Sequence, residues 1–282
     1  MKYLLSLDGG GALGCGPALF LATLESEADI AEDAIAGTSV GGILALLRAS
    51  GMRWADIRAM FDADVGKIFH SVPWWWHYDP TRPKWQNDGL ETMIRDALGT
   101  KRMSDASIPI YVPASDYQTG IVHYFTHHDS DLMADVALRT TAAPTYFAPR
   151  DSRWADGGII ANNPSSDALD ALHADEGWAF DGSRCLSLAS GGTWWDAILV
   201  GGRMAEIQWA SPVIKFAMQA TLIEAARRTT QALGSLNHLR IEPGETKYAE
   251  MDDLSILPAW RDLWQAAYAK HGDAAKLFLA GA

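Results

Sequence analysis

The sequence predicts an α/β fold in which buried strands lead into helices. Residues 3–7 form a short apolar run that ends in an aspartate and three glycines, and residues 18–27 then have the pattern of a helix. A second short run, residues 33–36, ends in the glycine-rich turn 37–42 and precedes the helix-forming run 43–49. Two strand-to-helix turns this early in the chain are typical of an α/β protein.

The later segments extend this pattern. Strands are predicted at residues 108–115 and 121–126, and the alternation in the second of these indicates that it is half exposed. Residues 185–189 have the pattern of another buried strand. Helices are predicted over residues 89–98, where Gly99 ends the helix, and over residues 132–141, before Pro144.

Two regions depart from the alternation of strands and helices. Residues 72–88 are rich in Pro, Trp and Asp and are predicted to be a loop. Beyond Gly202 the pattern is helical almost to the end, with Trp260 and Trp264 on one face. Because no repeat and no linker rich in Gly, Ser or Pro divides the chain, we expect residues 1–282 to form a single domain, with 203–282 mainly helical.

Composition excludes several classes of protein. With 35 acidic and 23 basic residues, the formal charge is −12, which argues against binding a nucleic acid polymer. The two cysteines, Cys15 and Cys185, lie too far apart in sequence for a zinc motif, and they argue against a disulfide framework. No carboxylate cluster has the spacing of a calcium loop, so catalysis without a metal is expected.

The hydrophobic segments are too short for export or for a membrane span. The first apolar run is shorter than the core of a signal peptide, and the longest uncharged stretch, residues 9–24, is interrupted by five glycines and Pro17. We therefore expect a cytoplasmic protein whose contact with membranes is peripheral. The sequence does not indicate an oligomeric state.

A serine lies in a glycine-framed turn. Gly37-Thr38-Ser39-Val40-Gly41 fits the G-x-S-x-G pattern, in which the serine hydroxyl is exposed on a tight turn between a strand and a helix. The flanking glycines avoid collisions with neighbouring elements, and the following helix points its positive end toward the site. The alternative interpretation is an ordinary turn with a serine that caps the helix.

A second glycine-rich turn follows the first strand. Gly9, Gly10 and Gly11 can direct several backbone N–H groups toward one point and so bind an anion, including the oxygen of a tetrahedral acyl intermediate. Gly9, Gly11 and Gly14 also fit the dinucleotide pattern G-x-G-x-x-G. That reading requires an acidic residue after the second strand, where this chain has Gly37-Thr38-Ser39.

A nucleophilic serine needs a base, and Asp156 is the candidate. Asp156-Gly157-Gly158 follows a short segment, residues 153–155, with the character of a strand end, and the glycines leave room for the carboxylate to approach another loop. An apolar enclosure that raises its pKa makes an aspartate a better base. None of the eight histidines lies in a glycine-framed turn. Asp-Gly-Gly is also a common turn sequence.

These blocks together resemble one family in content and order, the patatin-like phospholipases. The resemblance covers residues 8–192 and rests on Asp8-Gly-Gly-Gly with Gly14, Gly37-Thr-Ser39-Val-Gly41, Arg139-Thr-Thr-Ala-Ala-Pro-Thr-Tyr-Phe147, Asp156-Gly-Gly158, Asn162-Asn163-Pro164 and Leu186-Ser-Leu188 with Ser190-Gly191.

The resemblance implies both a fold and a chemistry. It implies a three-layer α/β/α fold with a central, mostly parallel sheet, and a Ser-Asp dyad without a catalytic histidine. Carried over by residue, Ser39 is the nucleophile, Asp156 the base, and the amides of Gly9, Gly10 and Gly11 the oxyanion hole. It also implies hydrolysis of acyl esters of lipids through an acyl-enzyme, with no cofactor.

One position departs from the family pattern. Relatives often carry Arg or Lys shortly before the last glycine of the first block, where this chain has Leu13. The missing cation leaves open whether the lipid is a phospholipid or a neutral lipid.

Three alternatives stay open from the sequence. In the first, the chain is a dinucleotide-binding protein. In the second, it is a catalytically silent relative of the family that binds lipid or a partner. Within the hydrolase reading, the base is instead a histidine, with His173, His238 and His271 as candidates.

Tryptophans are concentrated in the predicted loop. Of 12 in the chain, Trp74, Trp75, Trp76 and Trp85 lie in or beside one short segment. Since the charge of −12 disfavours an anionic bilayer, these rings are the sequence candidates for an interfacial or acyl-chain contact. The alternative is that they pack the loop against the core.

Overall fold

A mostly parallel sheet forms the centre of the protein. The computed structural model describes residues 1–68, 82–190, 206–244 and 252–280. Within these ranges the sheet has seven strands in the order β4-β3-β2-β1-β6-β7, with β5 paired to β3. The strands are β1 (Lys2–Leu7), β2 (Ala34–Gly37), β3 (Ile110–Asp116), β4 (Ile121–Thr126), β5 (Trp154–Asp156), β6 (Ser183–Leu188) and β7 (His238–Ile241).

Helices cover both faces of the sheet. They are α1 (Cys15–Glu27), α2 (Val40–Ala49), α3 (Trp54–Ile68), α4 (Asp88–Leu98), α5 (Met133–Thr140), α6 (Gly158–Ala161), α7 (Ser165–Glu176), α8 (Glu206–Leu233) and α9 (Leu257–Ala280). Alternate residues of β1 face opposite layers, since Leu5 and Leu7 pack in the core with α1 and α9 while Leu4 packs with α7. The expected three-layer α/β/α arrangement is confirmed.

Strand direction follows from the connections. The pairs β1 with β2, β1 with β6, β2 with β3 and β6 with β7 are parallel, as strands joined by crossover helices should be. Only β4 and β5 run antiparallel to β3 among the strands that the structure describes. All residues of β2 and β3 are buried, as expected when helices cover both faces of a sheet.

One edge of β3 pairs with two different strands, β2 and β5. Its first residues, Ile110 and Tyr111, pair with β2, and its last residues, from Ala114 to Asp116, pair with β5. Because β5 runs antiparallel to β3, the carboxyl end of β5 faces the carboxyl end of β2 along this edge. The chain segments that follow β2 and β5 therefore meet.

The strands and helices predicted in the first 190 residues are confirmed with shifts of a few residues at their ends. Residues 72–81 of the predicted loop lie outside the described residues. The prediction of an almost wholly helical region beyond Gly202 is wrong at β7, which lies between α8 and α9. This strand has only four residues, His238–Ile241, with polar side chains that hide its apolar pattern, and pairing with β6 makes it a strand. Helices α3 and α7 were also not predicted.

The helical C-terminal part belongs to the main hydrophobic core. Trp260 and Trp264 of α9 are buried in the same cluster as Phe20 of α1 and Leu7 of β1. None of the helices in the described ranges is both long and apolar enough to cross a membrane. That the chain is a single domain stays a prediction.

Replacing Trp264 by Ala should lower the free energy of unfolding by about 3–5 kcal/mol, the usual cost of truncating a buried aromatic side chain. Trp264 is fully buried, and its ring meets that of Phe20 at a centroid distance of 5.9 Å. Urea unfolding measures the change. Leu277→Ala on the same helix is the control, because Leu277 is 59% exposed and a surface change should stay within about 0.5 kcal/mol. Equal effects would contradict the packing of α9 in the core.

Candidate active site

Ser39 occupies a strained turn between β2 and α2. Its backbone angles are φ 54° and ψ −124°, an uncommon conformation for a residue with a side chain. A Cβ atom at Gly37 would overlap the carbonyl of Gly41, and one at Gly41 would overlap the carbonyl of Leu7. Both positions therefore require glycine, as the G-x-S-x-G pattern predicts, and the turn lies directly against the end of β1.

Thr140 holds the backbone of Ser39. The N–H of Ser39 donates to Thr140 Oγ1 at 3.0 Å, and that hydroxyl donates to the carbonyl of Pro113 at 2.6 Å. Thr140 is fully buried, so these bonds do not compete with water. These two hydrogen bonds link β3 through Thr140 to Ser39 and hold the turn in its strained conformation. Thr140 lies within the sequence block 139–147, but nothing in the sequence assigns it this role.

Asp156 lies beside Ser39 at the end of β5. Ser39 Oγ donates a hydrogen bond to Asp156 Oδ2 at 2.6 Å, and the N–H of Gly158 donates to Oδ1 at 2.7 Å. The carboxyl group is almost completely buried. Burial raises its pKa from 3.8 to about 6, although the hydrogen bonds from Ser39 and Gly158 act in the opposite direction.

An ion pair anchors the strand that carries Asp156. Arg153 donates from Nε and Nη2 to the two carboxylate oxygens of Asp116 at 3.0 and 2.7 Å. Because Asp116 ends β3 and Arg153 immediately precedes β5, this two-point contact holds the register of β5 on β3. The hydroxyl of Ser115 also donates to the carbonyl of Asp156 at 3.0 Å.

The glycine turn after β1 lies against the same serine. A Cβ on Gly9 would be 3.1 Å from that of Ser39. The N–H of Gly9 donates to the carbonyl of Asn162 at 3.0 Å, so in this structure it is not available to a ligand. Within the described residues, the N–H groups of Gly10 and Gly11 make no hydrogen bond. The oxyanion role of these three glycines stays a prediction, and the geometry favours Gly10 and Gly11 over Gly9.

No histidine of the described ranges is hydrogen-bonded to Ser39 or Asp156. A ring nitrogen of His173 bonds the carbonyl of Trp178 at 2.6 Å, and the ring of His238 bonds Ser187 and Thr230. Burial lowers the pKa of His238 to about 4. His271 lies on α9, away from the turn. The structure therefore gives no support to a histidine triad.

An apolar pocket opens next to Ser39. It contains about 450 Å³ of empty space, part of it open to solvent. Besides Gly11, Ala12, Ser39 and Thr141, the lining residues are Val40, Ile43, Phe61, Val65, Ile68, Leu90, Ala143 and Phe147. Three of them come from α3, which is not among the helices predicted from the sequence. The signal was present, since Ile57, Phe61, Val65 and Ile68 recur at helical spacing in an otherwise polar stretch.

Of the four tryptophans considered for lipid contact, Trp74, Trp75 and Trp76 lie outside the described residues. Trp85 is half-buried, packs against the core and donates its indole N–H to Asp252 Oδ2 at 2.7 Å. These contacts agree with the packing alternative for Trp85. Its role at an interface stays a prediction.

One group among the described residues has the spacing of metal ligands. His127, His128 and Glu176 place their ligand atoms within 4.8 Å of one another. They lie after β4 and at the end of α7, and neither element carries Ser39 or Asp156. The expectation of catalysis without a metal stays a prediction.

Many serine hydrolases place a serine on a tight turn between a strand and a helix of an α/β fold, as Ser39 is placed here. Residues 5–169 match the family model described as patatin-like phospholipase, so the chain belongs to this family.

Individual relatives agree with the family. The chain is similar to two proteins named cGAMP-activated phospholipase: it is 32% identical to the one from Vibrio cholerae over 205 residues and 34% identical to the one from Escherichia coli over 218 residues. These matches cover 61% and 64% of this chain, and the chain spans 58% of the length of each relative.

A solved structure agrees with the fold. The crystal structure of VipD from Legionella pneumophila aligns with a TM-score of 0.54 at 15% identity, covering 96% of this chain and 67% of that one. At this identity the likeness supports the fold alone.

Asp156→Asn should remove part of the pH dependence of stability. Because the pKa of Asp156 is about 6 in the folded protein and near 3.8 when unfolded, the folded state binds this proton more tightly. The resulting stabilisation is present at low pH and is lost as the pH rises through about 6. Between pH 4.5 and 7.5 the wild type should therefore lose about 2 kcal/mol more than the variant, measured by urea unfolding. Parallel curves for the two proteins would show that the pKa of Asp156 is not raised.

Proposed function

We propose that this protein is a serine acyl hydrolase that cleaves carboxylic ester bonds of lipids, with Ser39 as nucleophile and Asp156 as base. The observation that carries the proposal is the 2.6 Å hydrogen bond from Ser39 Oγ to the buried Asp156, beside an apolar pocket that Ser39 lines. Membership of the patatin-like phospholipase family and the names of the relatives support the same class of substrate.

The first half of the reaction forms an acyl-enzyme. Ser39 Oγ attacks the ester carbonyl carbon as its proton passes to Asp156 Oδ2. The N–H groups of Gly10 and Gly11 receive the negative oxygen, where each donor is worth about 2.7–4 kcal/mol of barrier. The proton on Asp156 then moves to the departing alcohol oxygen as the carbon–oxygen bond breaks, which leaves the acyl group on Ser39.

The second half uses the same groups in reverse. Asp156 takes a proton from water, the water oxygen attacks the acyl carbon, and the proton returns to Ser39 Oγ as the fatty acid leaves. A carboxylate with a pKa near 6 is a stronger base than an ordinary aspartate and is still ionised at pH 7. Burial thus makes an aspartate suitable for a task that usually falls to histidine.

The apolar lining of the pocket beside Ser39 matches the chemistry of a lipid acyl chain. Its walls are formed mainly by aliphatic and aromatic side chains, three of them from α3. Leu13, where relatives carry a cation, is buried, and its carbonyl accepts the indole N–H of Trp260 at 2.9 Å. The names of the relatives favour phospholipid.

The alternatives have specific weaknesses. Dinucleotide binding through Gly9, Gly11 and Gly14 lacks an acidic residue after β2, and Gly14 instead gives close packing against Val40. A catalytically silent relative would not react with a fluorophosphonate, whereas the proposed enzyme should be labelled at Ser39.

Ser39→Ala and Asp156→Asn should each lower kcat on p-nitrophenyl butyrate by about 10⁴-fold or more, because nucleophile and base act as a unit. The matched controls Ser50→Ala and Asp96→Asn lie away from the site and should keep the wild-type rate. Full activity of either site variant would exclude the dyad.

In the wild type, kcat/KM should fall about tenfold per pH unit as the pH drops below about 6, because Asp156 becomes protonated.

Val65→Phe should shorten the acyl chains that the enzyme accepts, because Val65 lines the pocket and a larger ring fills part of it. We expect kcat/KM for p-nitrophenyl dodecanoate to fall about tenfold while that for the acetate ester changes little. Ala59→Phe on the exposed face of α3 is the control. A uniform loss on both esters would mean that the pocket does not hold the acyl chain.

A further inference from the structure

A buried ion pair joins the glycine turn to the last strand of the sheet. Arg240 of β7 donates from Nη1 and Nη2 to the two carboxylate oxygens of Asp8 at 2.9 and 2.5 Å. Strands β1 and β7 are separated by β6, and at the usual strand spacing they lie roughly 10 Å apart. The long side chain of Arg240 therefore crosses the end of β6 to reach the residue before Gly9.

The Asp8 carboxylate depends on this contact. Asp8 is completely buried, and the side chain of Arg240 is only 15% exposed. Burial raises the pKa of the Asp8 carboxyl, and the charge and hydrogen bonds of Arg240 oppose that rise. Apart from Asp8, Arg240 bonds Glu242 at 3.1 Å, a side chain that is largely in solvent. Among the described residues, no basic side chain other than Arg240 contacts the Asp8 carboxylate, so its removal would leave a buried carboxylate without a positive partner there.

The backbone on either side of Asp8 is fixed as well. Its N–H donates to the carbonyl of Leu188 at 3.1 Å, and its carbonyl accepts the hydroxyl of Ser190. The next N–H, that of Gly9, is held by Asn162. Gly10 and Gly11 are the next residues in the chain, so their backbone conformation depends on the position of Asp8.

We propose that Arg240 is a positioning residue that holds the glycine turn in the geometry of the oxyanion hole. This inference rests on the proposed hydrolase function. Arg240 touches neither Ser39 nor Asp156 and acts through Asp8, because a fork that bonds both carboxylate oxygens fixes the direction of that side chain. Arg240 lies beyond residues 5–169, which match the family model.

The chain contains a matched control for a purely structural role. Arg48 donates from Nε and Nη2 to Glu32 at 3.1 and 2.9 Å, and the two side chains are 18% and 3% exposed. This pair is as deeply buried as Arg240 with Asp8, but it joins the end of α2 to the segment before β2, away from the glycine turn. Arg240→Met and Arg48→Met should both lower Tm, and Arg48→Met by at least as much, because Arg48 also bonds Glu25 and the carbonyls of Ile30 and Met52.

The test is the rate of covalent labelling of Ser39 by a fluorophosphonate, measured well below Tm, together with kcat and KM on p-nitrophenyl butyrate. The phosphoryl oxygen of the probe needs the same N–H groups as an ester intermediate. Since a displacement of about 1 Å costs about 100-fold in rate, Arg240→Met should lower both the labelling rate and kcat about 100-fold. KM should not change, and Arg48→Met should keep wild-type rates.

Arg240→Lys keeps the buried charge but not the fork, so its labelling rate should fall between those of the wild type and Arg240→Met. If Arg240→Met does not fold, Arg240→Lys decides the question. A folded Arg240 variant that is labelled as fast as the wild type overturns the proposal, as does an equal slowing in Arg48→Met. Failure of the wild type itself to be labelled would instead overturn the proposed function.

Discussion

The shared edge of β3 is the constraint on which the site depends. Strand β2 pairs with the first half of that edge and β5, running the other way, with the second half. The turn after β2 and the end of β5 are thereby brought together, and Ser39 meets Asp156 at 2.6 Å although 117 positions separate them in sequence. Glycines on both sides allow the close approach. A side chain at Gly157, for example, would overlap the carbonyl of Pro113 in β3.

Burial raises the pKa of Asp156 and also costs the folded state free energy. The same desolvation that moves its pKa to about 6 disfavours the ionised carboxylate, the form that the proposed reaction uses. The turn that carries Ser39 is likewise strained and is held by the buried hydroxyl of Thr140. Such local costs persist only where the surrounding structure fixes the geometry. Here β3 fixes it through hydrogen bonds made by Pro113, Ser115 and Asp116.

The C-terminal part completes a core that the family-matched region leaves open. Helix α9 places Trp260 and Trp264 against α1, and Trp260 bonds the carbonyl of Leu13 in the glycine turn. Strand β7 extends the sheet and brings Arg240 to Asp8. Two separate elements beyond residue 203 thus contact the turn that follows β1, which explains why the sheet and the helical end form one continuous packing unit.

Much of the fold and the pairing of Ser39 with Asp156 could be predicted from the sequence itself. Short apolar runs before glycine turns indicate buried strands wherever they occur, and only glycine fits the contacts at positions 37 and 41. The sequence could not indicate β7, which is a strand because β6 is beside it, or the apolar pocket, most of whose walls come from α2, α3, α4 and the segment after α5. Nor could it show that Asn162 takes the N–H of Gly9, or that Arg240 pairs with Asp8. Those contacts join residues more than 150 positions apart, and only the packing of the whole chain decides which of them form.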